Sequence, residues 1–329
     1  MGSITHLHER LRPVPLRIAS DEELLAAAGE VIALGKDAPA TFLADALVRS
    51  GLLAISIPSD FDGADVANGL IAQVVSQIAQ TQPSAARALV HHFRALELVR
   101  NAGSEEQRRS IYLHVASGER LSCGGLGDHT ASQRYVTDGI GFRLSGALEA
   151  ASLGEPDWFS VLAFSEAEVL SLLLVQRGST RVEVVPGSQP ARYRLDQAHM
   201  PADSVLALHQ DALPLSESLG TILRASTILG EKRQRLAADL ALWRGGVLSG
   251  DRPWDERIGK LQLDIEILAA LIDRAATALD LAQVNPTPAG VSDACRIATA
   301  LEFAALPGGD RARDSDRLLA QLGQTLLTD

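Results

Sequence analysis

Apolar residues recur at helical spacing through the first third of the chain. Leu24, Leu25, Ala28, Val31 and Ile32 share one face that stops at Gly35. Ser20 and Glu23 form a capping box ahead of them, the serine oxygen accepting from the Glu23 amide while the glutamate reaches back. Phe42, Leu43, Ala46 and Leu47 mark a second short helix that ends at Gly51. Leu52 to Ile57 reads as a brief extended run halted by Pro58, and Asp60-Phe61-Asp62-Gly63 supplies turn chemistry. Two longer helices are expected over Asn68 to Thr81 and Pro83 to Asn101, the second with proline in its favoured first turn. Ser104 and Gln107 form another capping box, for a helix reaching about Ser117.

Near Glu119 the period shortens. Tyr135 to Gly139 and Phe142 to Leu144 read as a hairpin about an Asp-Gly turn. Trp158 to Phe164, Val169 to Val175, Arg181 to Val185 and Arg192 to Leu195 are further short strands. No amphipathic helices separate them, so a small antiparallel sheet or barrel is expected rather than parallel winding. From Leu215 the helical period returns. Leu215, Leu219, Ile222, Leu229, Leu236 and Leu240 trace one stripe; Ile258, Leu261, Ile265, Leu268, Ile272, Ala275 and Leu279 trace another. Each helix is roughly 25–30 residues, about 40 Å long at about 1.5 Å per residue. Ser292 to Ala305 and Asp314 to Leu327 complete a four-helix bundle. The expected fold is therefore mainly α with a central β domain: an N-terminal helical domain over 1–119, a small antiparallel β-barrel or sheet over 120–208, and a C-terminal helical bundle over 209–329.

Composition narrows the classes. With 30 Lys+Arg against 41 Asp+Glu the net charge is −11, and no basic stripe with interleaved aromatics points to nucleic acid. Cys123 and Cys295 are too few and too far apart for a disulfide framework or a zinc site. Met1 to Arg17 lacks the apolar core of a signal peptide, and no apolar run is long enough to span a bilayer. A cytoplasmic protein is expected.

Several strings, in this order and on these elements, resemble the acyl-CoA dehydrogenase superfamily, and most nearly its flavin-dependent monooxygenase branch. Gly51-Leu52-Leu53-Ala54-Ile55-Ser56-Ile57-Pro58 through Phe61-Asp62-Gly63 is similar to the family's opening motif, with Asp62 where glycine is usual. Gly103-Ser104-Glu105-Glu106-Gln107-Arg108, the Gly118-Glu119-Arg120 string, Phe142-Arg143-Leu144-Ser145-Gly146, Asp157-Trp158, and His199-Met200-Pro201 through Leu206 resemble later ones. The departures fall where the family's flavin contacts lie. The strand after Gly118-Glu119-Arg120 lacks the usual pattern in Ser122 to Thr130, and Leu148 to Leu153 replaces a lysine-bearing string. Pro186 to Pro190 stands in place of an arginine loop, and the last predicted helix, Arg317 to Leu327, lacks an arginine pair. The dehydrogenases' catalytic glutamate has no match.

The resemblance implies a flavin, FMN or FAD, with Leu126, Gly127, Thr130 and Ser152 as its contacts. A flavin diphosphate needs cations, backbone amides or helix N-termini to meet its charge, so FMN makes fewer demands than FAD. His92, in His91-His92-Phe93, matches a cleft-facing histidine of the monooxygenase branch and is a candidate proton relay. Asp128, His129, Glu149 and Ser152 are the other candidate catalytic groups. The resemblance also implies a small-molecule or acyl-thioester substrate and a homodimer or homotetramer, with no nucleic acid and no membrane. Three functions stay open: a divergent flavin-dependent oxidoreductase or monooxygenase, a flavin-free descendant doing acid–base chemistry (dehydration, isomerisation or cyclisation), and a non-catalytic partner of an intact flavoprotein.

Overall fold

The computed structural model describes residues 13–124, 133–150, 153, 155–188, 191–245 and 252–306. Helices α1 (Asp21–Ala33) and α2 (Ala40–Arg49) come first. Ser20 caps α1 by accepting from the Glu23 amide at 3.2 Å, and the Glu23 carboxylate reaches back to the Ala19 amide at 2.7 Å. The run after Gly51 is not extended. Gly51 sits at φ 74, where an added Cβ would strike the Leu16 carbonyl, and the chain leaves it in a 3₁₀ turn over Leu52–Ala54. A second 3₁₀ turn covers Ser59–Phe61. The bonds Ala54 N–H to Gly51 O and Ile57 N–H to Ala54 O, each 3.1 Å, are local, so these apolar residues meet their backbone needs without a strand partner.

Helices α3 (Asn68–Ala79), α4 (Pro83–Ala102) and α5 (Glu105–Ala116) follow the sequence pattern, and both halves of the Ser104–Gln107 capping box form. The strands are β1 (Leu121–Gly124), β2 (Gln133–Asp138), β3 (Gly141–Ala150), β4 (Trp158–Phe164), β5 (Leu170–Gln176), β6 (Val182–Val185), β7 (Ala191–Pro201) and β8 (Val205–Leu206). They form one eight-stranded sheet in the order β6-β7-β3-β2-β4-β5-β8, with β1 also on β4. The sheet is mixed rather than antiparallel throughout. β1 runs parallel to β4 from the pair Leu121–Trp158 to Gly124–Val161, and β2 runs parallel to the next stretch, Gln133–Ala163 and Arg134–Phe164. β5 holds the other edge of β4 antiparallel, so β1 and β2 occupy successive lengths of one edge. Pairing of this kind joins residues far apart in sequence and leaves no hairpin signature.

The bundle rests on α6 (Ala212–Arg244) and α7 (Arg252–Val284), each 33 residues, with α8 (Pro288–Ala305) packed on both. The fourth expected helix, Asp314 to Leu327, lies outside the described residues. α6 also packs on α3 and α4. Two glycines allow the close approach: a Cβ at Gly230 would strike the Ser76 carbonyl on α3, and one at Gly220 would strike the Arg94 side chain on α4. One apolar core fills the helical layers and takes in Leu121 and Cys123 of β1; a second, around Phe159 and Tyr193, lies within the sheet. Among the described residues no helix is long and apolar enough to cross a membrane.

Candidate functional site

The strings quoted from the sequence meet one another in space. The Glu119 carboxylate accepts from Trp158 Nε1 at 2.5 Å and lies 3.2 Å from His114 Nδ1. The Asp157 carboxylate accepts from the Arg120 amide at 2.9 Å, and the Asp157 amide donates to the Arg120 carbonyl at 2.9 Å. The Arg120 guanidinium donates to the carbonyls of Leu153 and Glu155. These bonds place the first residues of β1 and β4 side by side. On α5, Gln107 Nε2 donates to the carbonyls of Asp203 and Val205 at 2.7 and 3.0 Å, and Tyr112 meets the Phe61 ring edge-on with centroids 5.0 Å apart. The opening motif, the capping box and the string before α6 are thus fastened to one helix. Asp62, where the resemblance leads one to expect glycine, sits at φ 59, ψ 23; an aspartate tolerates this left-handed turn better than most side chains.

β1 lies against α4, and the two histidines of α4 serve it differently. His92 is 2% exposed. Its Nδ1 accepts from the Leu121 amide at 3.0 Å, which fixes the proton on Nε2, and Nε2 donates to the Leu53 carbonyl at 2.9 Å. Burial pushes its pKa down to about 4, so the ring is neutral at ordinary pH. His92 lines a cavity of about 20 Å³, the size of one water, shared with Leu53, Leu121, Ser122 and Leu153. The expected proton relay therefore has both ring nitrogens committed to backbone, and His92 pins α4 to β1 and to the turn at Leu53.

His91 carries the other side. Its carbonyl accepts from Cys123 Sγ at 3.4 Å, and its Nδ1 is buried without a partner. Burial, then the Arg94 and Arg224 guanidiniums, push His91 down to about 4. Burial also pushes the Cys123 thiol up, against the pull of Arg94, so it stays a thiol. Arg94 is 8% exposed with Nε buried and unpartnered. Arg224, one turn beyond Gly220 on α6, donates to Thr221 Oγ1 at 2.9 Å. His91, Arg94, Cys123 and Arg224 thus gather where α4, α6 and β1 converge.

Glu149, expected as a catalytic group, faces away. Strand alternation puts Leu148 toward Gly124 and Glu149 on the opposite, exposed face, 3.5 Å from Arg192 Nε on β7. Asp128, His129, Leu126, Gly127, Thr130 and Ser152 lie outside the described residues. Motif reading passed over Arg94 and Arg224. Their signal was a charge set into apolar helix, Arg94 between Phe93 and Ala95 and Arg224 between Leu223 and Ala225, all four of those neighbours buried.

Residues 16–119 match the family model "Acyl-CoA dehydrogenase, N-terminal domain". No curated protein matches the chain in sequence. Among solved structures, methanesulfinate monooxygenase MsuC from Pseudomonas fluorescens superimposes with a TM-score of 0.76 at 17% identity, covering 94% of this chain and 87% of its own. The chain has the acyl-CoA dehydrogenase fold. The same fold is seen in TdsC from Paenibacillus sp. A11-2, solved with FMN and indole: TM-score 0.74, 13% identity, 87% of this chain and 82% of that one. It is seen again in KijD3, solved with FMN and a dTDP-linked amino-keto sugar: TM-score 0.74, 17% identity, 93% and 82%. The matched domain and the shared fold agree with the superfamily read from the motifs.

A flavin presents an edge of alternating carbonyl and imide groups, which backbone amides and carbonyls can meet. Among the described residues β1 pairs with β4 alone; the His92 ring takes its Leu121 amide and the His91 ring bonds to the Cys123 backbone, so what a flavin could meet here is the remaining backbone of Leu121 to Gly124.

Proposed function

We propose that the chain is a divergent acyl-CoA dehydrogenase-like oxidoreductase of the flavin-dependent monooxygenase kind, acting on a small molecule held where α4, α6 and β1 converge. The observation that carries this reading is β1 itself, a buried strand that among the described residues pairs with β4 alone, with the Leu121 amide held by His92 and polar groups of α4 and α6 close by. A flavin bound there would supply the electrons. The chain's own residues do the rest: Leu121 to Gly124 offer backbone donors and acceptors, and His92 keeps the strand in register. His91 stays neutral beside two cations and presents a ring nitrogen as an acceptor. Its depressed pKa makes it a poor base, so it orients more than it deprotonates. FMN is the flavin assigned, since it brings a single phosphate where FAD brings a diphosphate and an adenosine.

The flavin-free acid–base reading loses its leading residue, because protonating His92 would break its bond from the Leu121 amide. The homo-oligomer belongs to the main reading, supported by the exposed Leu263 and Ile267 on α7. Titration with FMN, FAD and reductant, followed in the visible spectrum, tests the proposal. A shifted and saturable flavin band is expected, stronger for FMN; an unperturbed flavin spectrum at all concentrations overturns it.

A further inference from the structure

We propose that Arg94 and Arg224 form a site for the carboxylate of a small acidic substrate, in the cleft between α4, α6 and β1. The inference rests on the reading above that this cleft takes substrate. The two side chains come from different helices and converge over Gly220: a Cβ there would strike Arg94 and lie 3.1 Å from Arg224 Nη1. Gly220 leaves the room in which they approach. Neither arginine is in an ion pair among the described residues, and Arg94 Nε is sealed from water without an acceptor.

Two guanidiniums side by side in a partly dry site repel each other, and the folded chain tolerates this only if something else gains. The groups around them do not cancel the charge. His91 on α4 is neutral, and Cys123 on β1 is a thiol. Glu217 on α6 and Glu302 on α8 act on Arg224 from a distance. Arg224 is exposed yet desolvated by the protein around it, the condition of a side chain on the wall of a cleft open to solvent. A carboxylate entering from solvent meets Arg224 first and offers an acceptor to the neighbouring Arg94 guanidinium. Guanidinium forks suit it because each can hold both oxygens.

The test contrasts acids with amides of the same shape. Benzoate and butyrate, against benzamide and butyramide, are titrated into the full chain without flavin and followed by ligand-observed NMR. The acids are expected to bind at least about ten-fold tighter, and Arg224→Gln to abolish the preference; Arg224 is exposed, so this variant keeps the fold, as circular dichroism will confirm. Arg94→Gln should act alike where it folds. Equal binding of acid and amide, absence of binding by either, or an undiminished preference in Arg224→Gln overturns the proposal. The phosphate of FMN is the other anion these arginines could meet. If Arg224→Gln weakens FMN and spares riboflavin, the pair serves the cofactor and the substrate assignment is overturned. Failure of the chain to bind any flavin leaves the acid–amide result standing, so the two proposals fail separately.

Discussion

The His92 ring donates to Leu53 and accepts from Leu121, so a second proton on it must displace a backbone bond inside the protein. Its folded pKa, about 4, lies below the unfolded value of 6.5. As pH falls through that interval the unfolded chain takes up a proton that the folded chain refuses, so stability is complete above about 6.5 and is lost toward 4. At pH 5 the loss from this residue is roughly 2 kcal/mol. Denaturant unfolding at pH 7 and pH 5 should show the drop, and His92→Gln, though less stable overall, should shrink it by about that amount. Asp62 makes a second case. At φ 59 an alanine lacks both the freedom of glycine and the local polar contacts of aspartate. Asp62→Ala should lower stability by about 1 kcal/mol and Asp62→Gly should not, a contrast visible in Tm. The sequence marked Asp62 and His92 as positions of interest through the strings around them. What His92 does was not legible, because Leu53 and Leu121 are 39 and 29 residues away and nothing local announces them.

Among the elements, α6 has the most demanding surroundings, since it packs on α3, α4, α7 and α8 at once. Gly230 is where it comes closest to α3: the obstacle to a Cβ is the Ser76 carbonyl, which is helical backbone and cannot step aside. Gly230→Ala should therefore cost about 2 kcal/mol through overpacking. Gly259, on the exposed side of α7 with nothing within 4 Å of its Cβ position, should respond in the opposite sense. Gly259→Ala should gain up to about 1 kcal/mol from helix propensity alone. Calorimetric or denaturant unfolding of the two variants separates packing from propensity within one hairpin of helices. The helices themselves were legible because their stripes are long; Leu215, Leu219, Ile222 and Leu229 are all buried as the spacing implies. The 3₁₀ turn at Leu52–Ala54 was not. A short apolar run has the same composition as a strand, and only the left-handed Gly51 before it decides.

At the scale of the whole molecule, the order of helices, sheet and long-helix bundle can be read from where the hydrophobic period changes, and the structure follows it. The sense of strand pairing cannot. The β2–β3 hairpin announces itself through Asp138-Gly139, whereas β1 and β4 share no turn. The candidate site divides the same way. The Gly118-Glu119-Arg120 motif pointed to the strand that follows it, while the arginines on α4 and α6 were hidden because those helices bring together residues 94 and 224, which no spacing rule connects. Titration with flavin is the experiment at this scale, since it asks whether the assembled chain binds the cofactor proposed for it.

The parallel seam between β1 and β4 also bears on how the protein matures. Leu121 meets Trp158 only after the intervening chain has closed on itself, and that closure must precede the contacts that reward it. The strand pair that carries the proposed site is thus complete only once that closure has occurred. A compound that docks on it favours only molecules that have completed the seam, so such a compound acts as a selective stabiliser of the finished state over partly assembled ones.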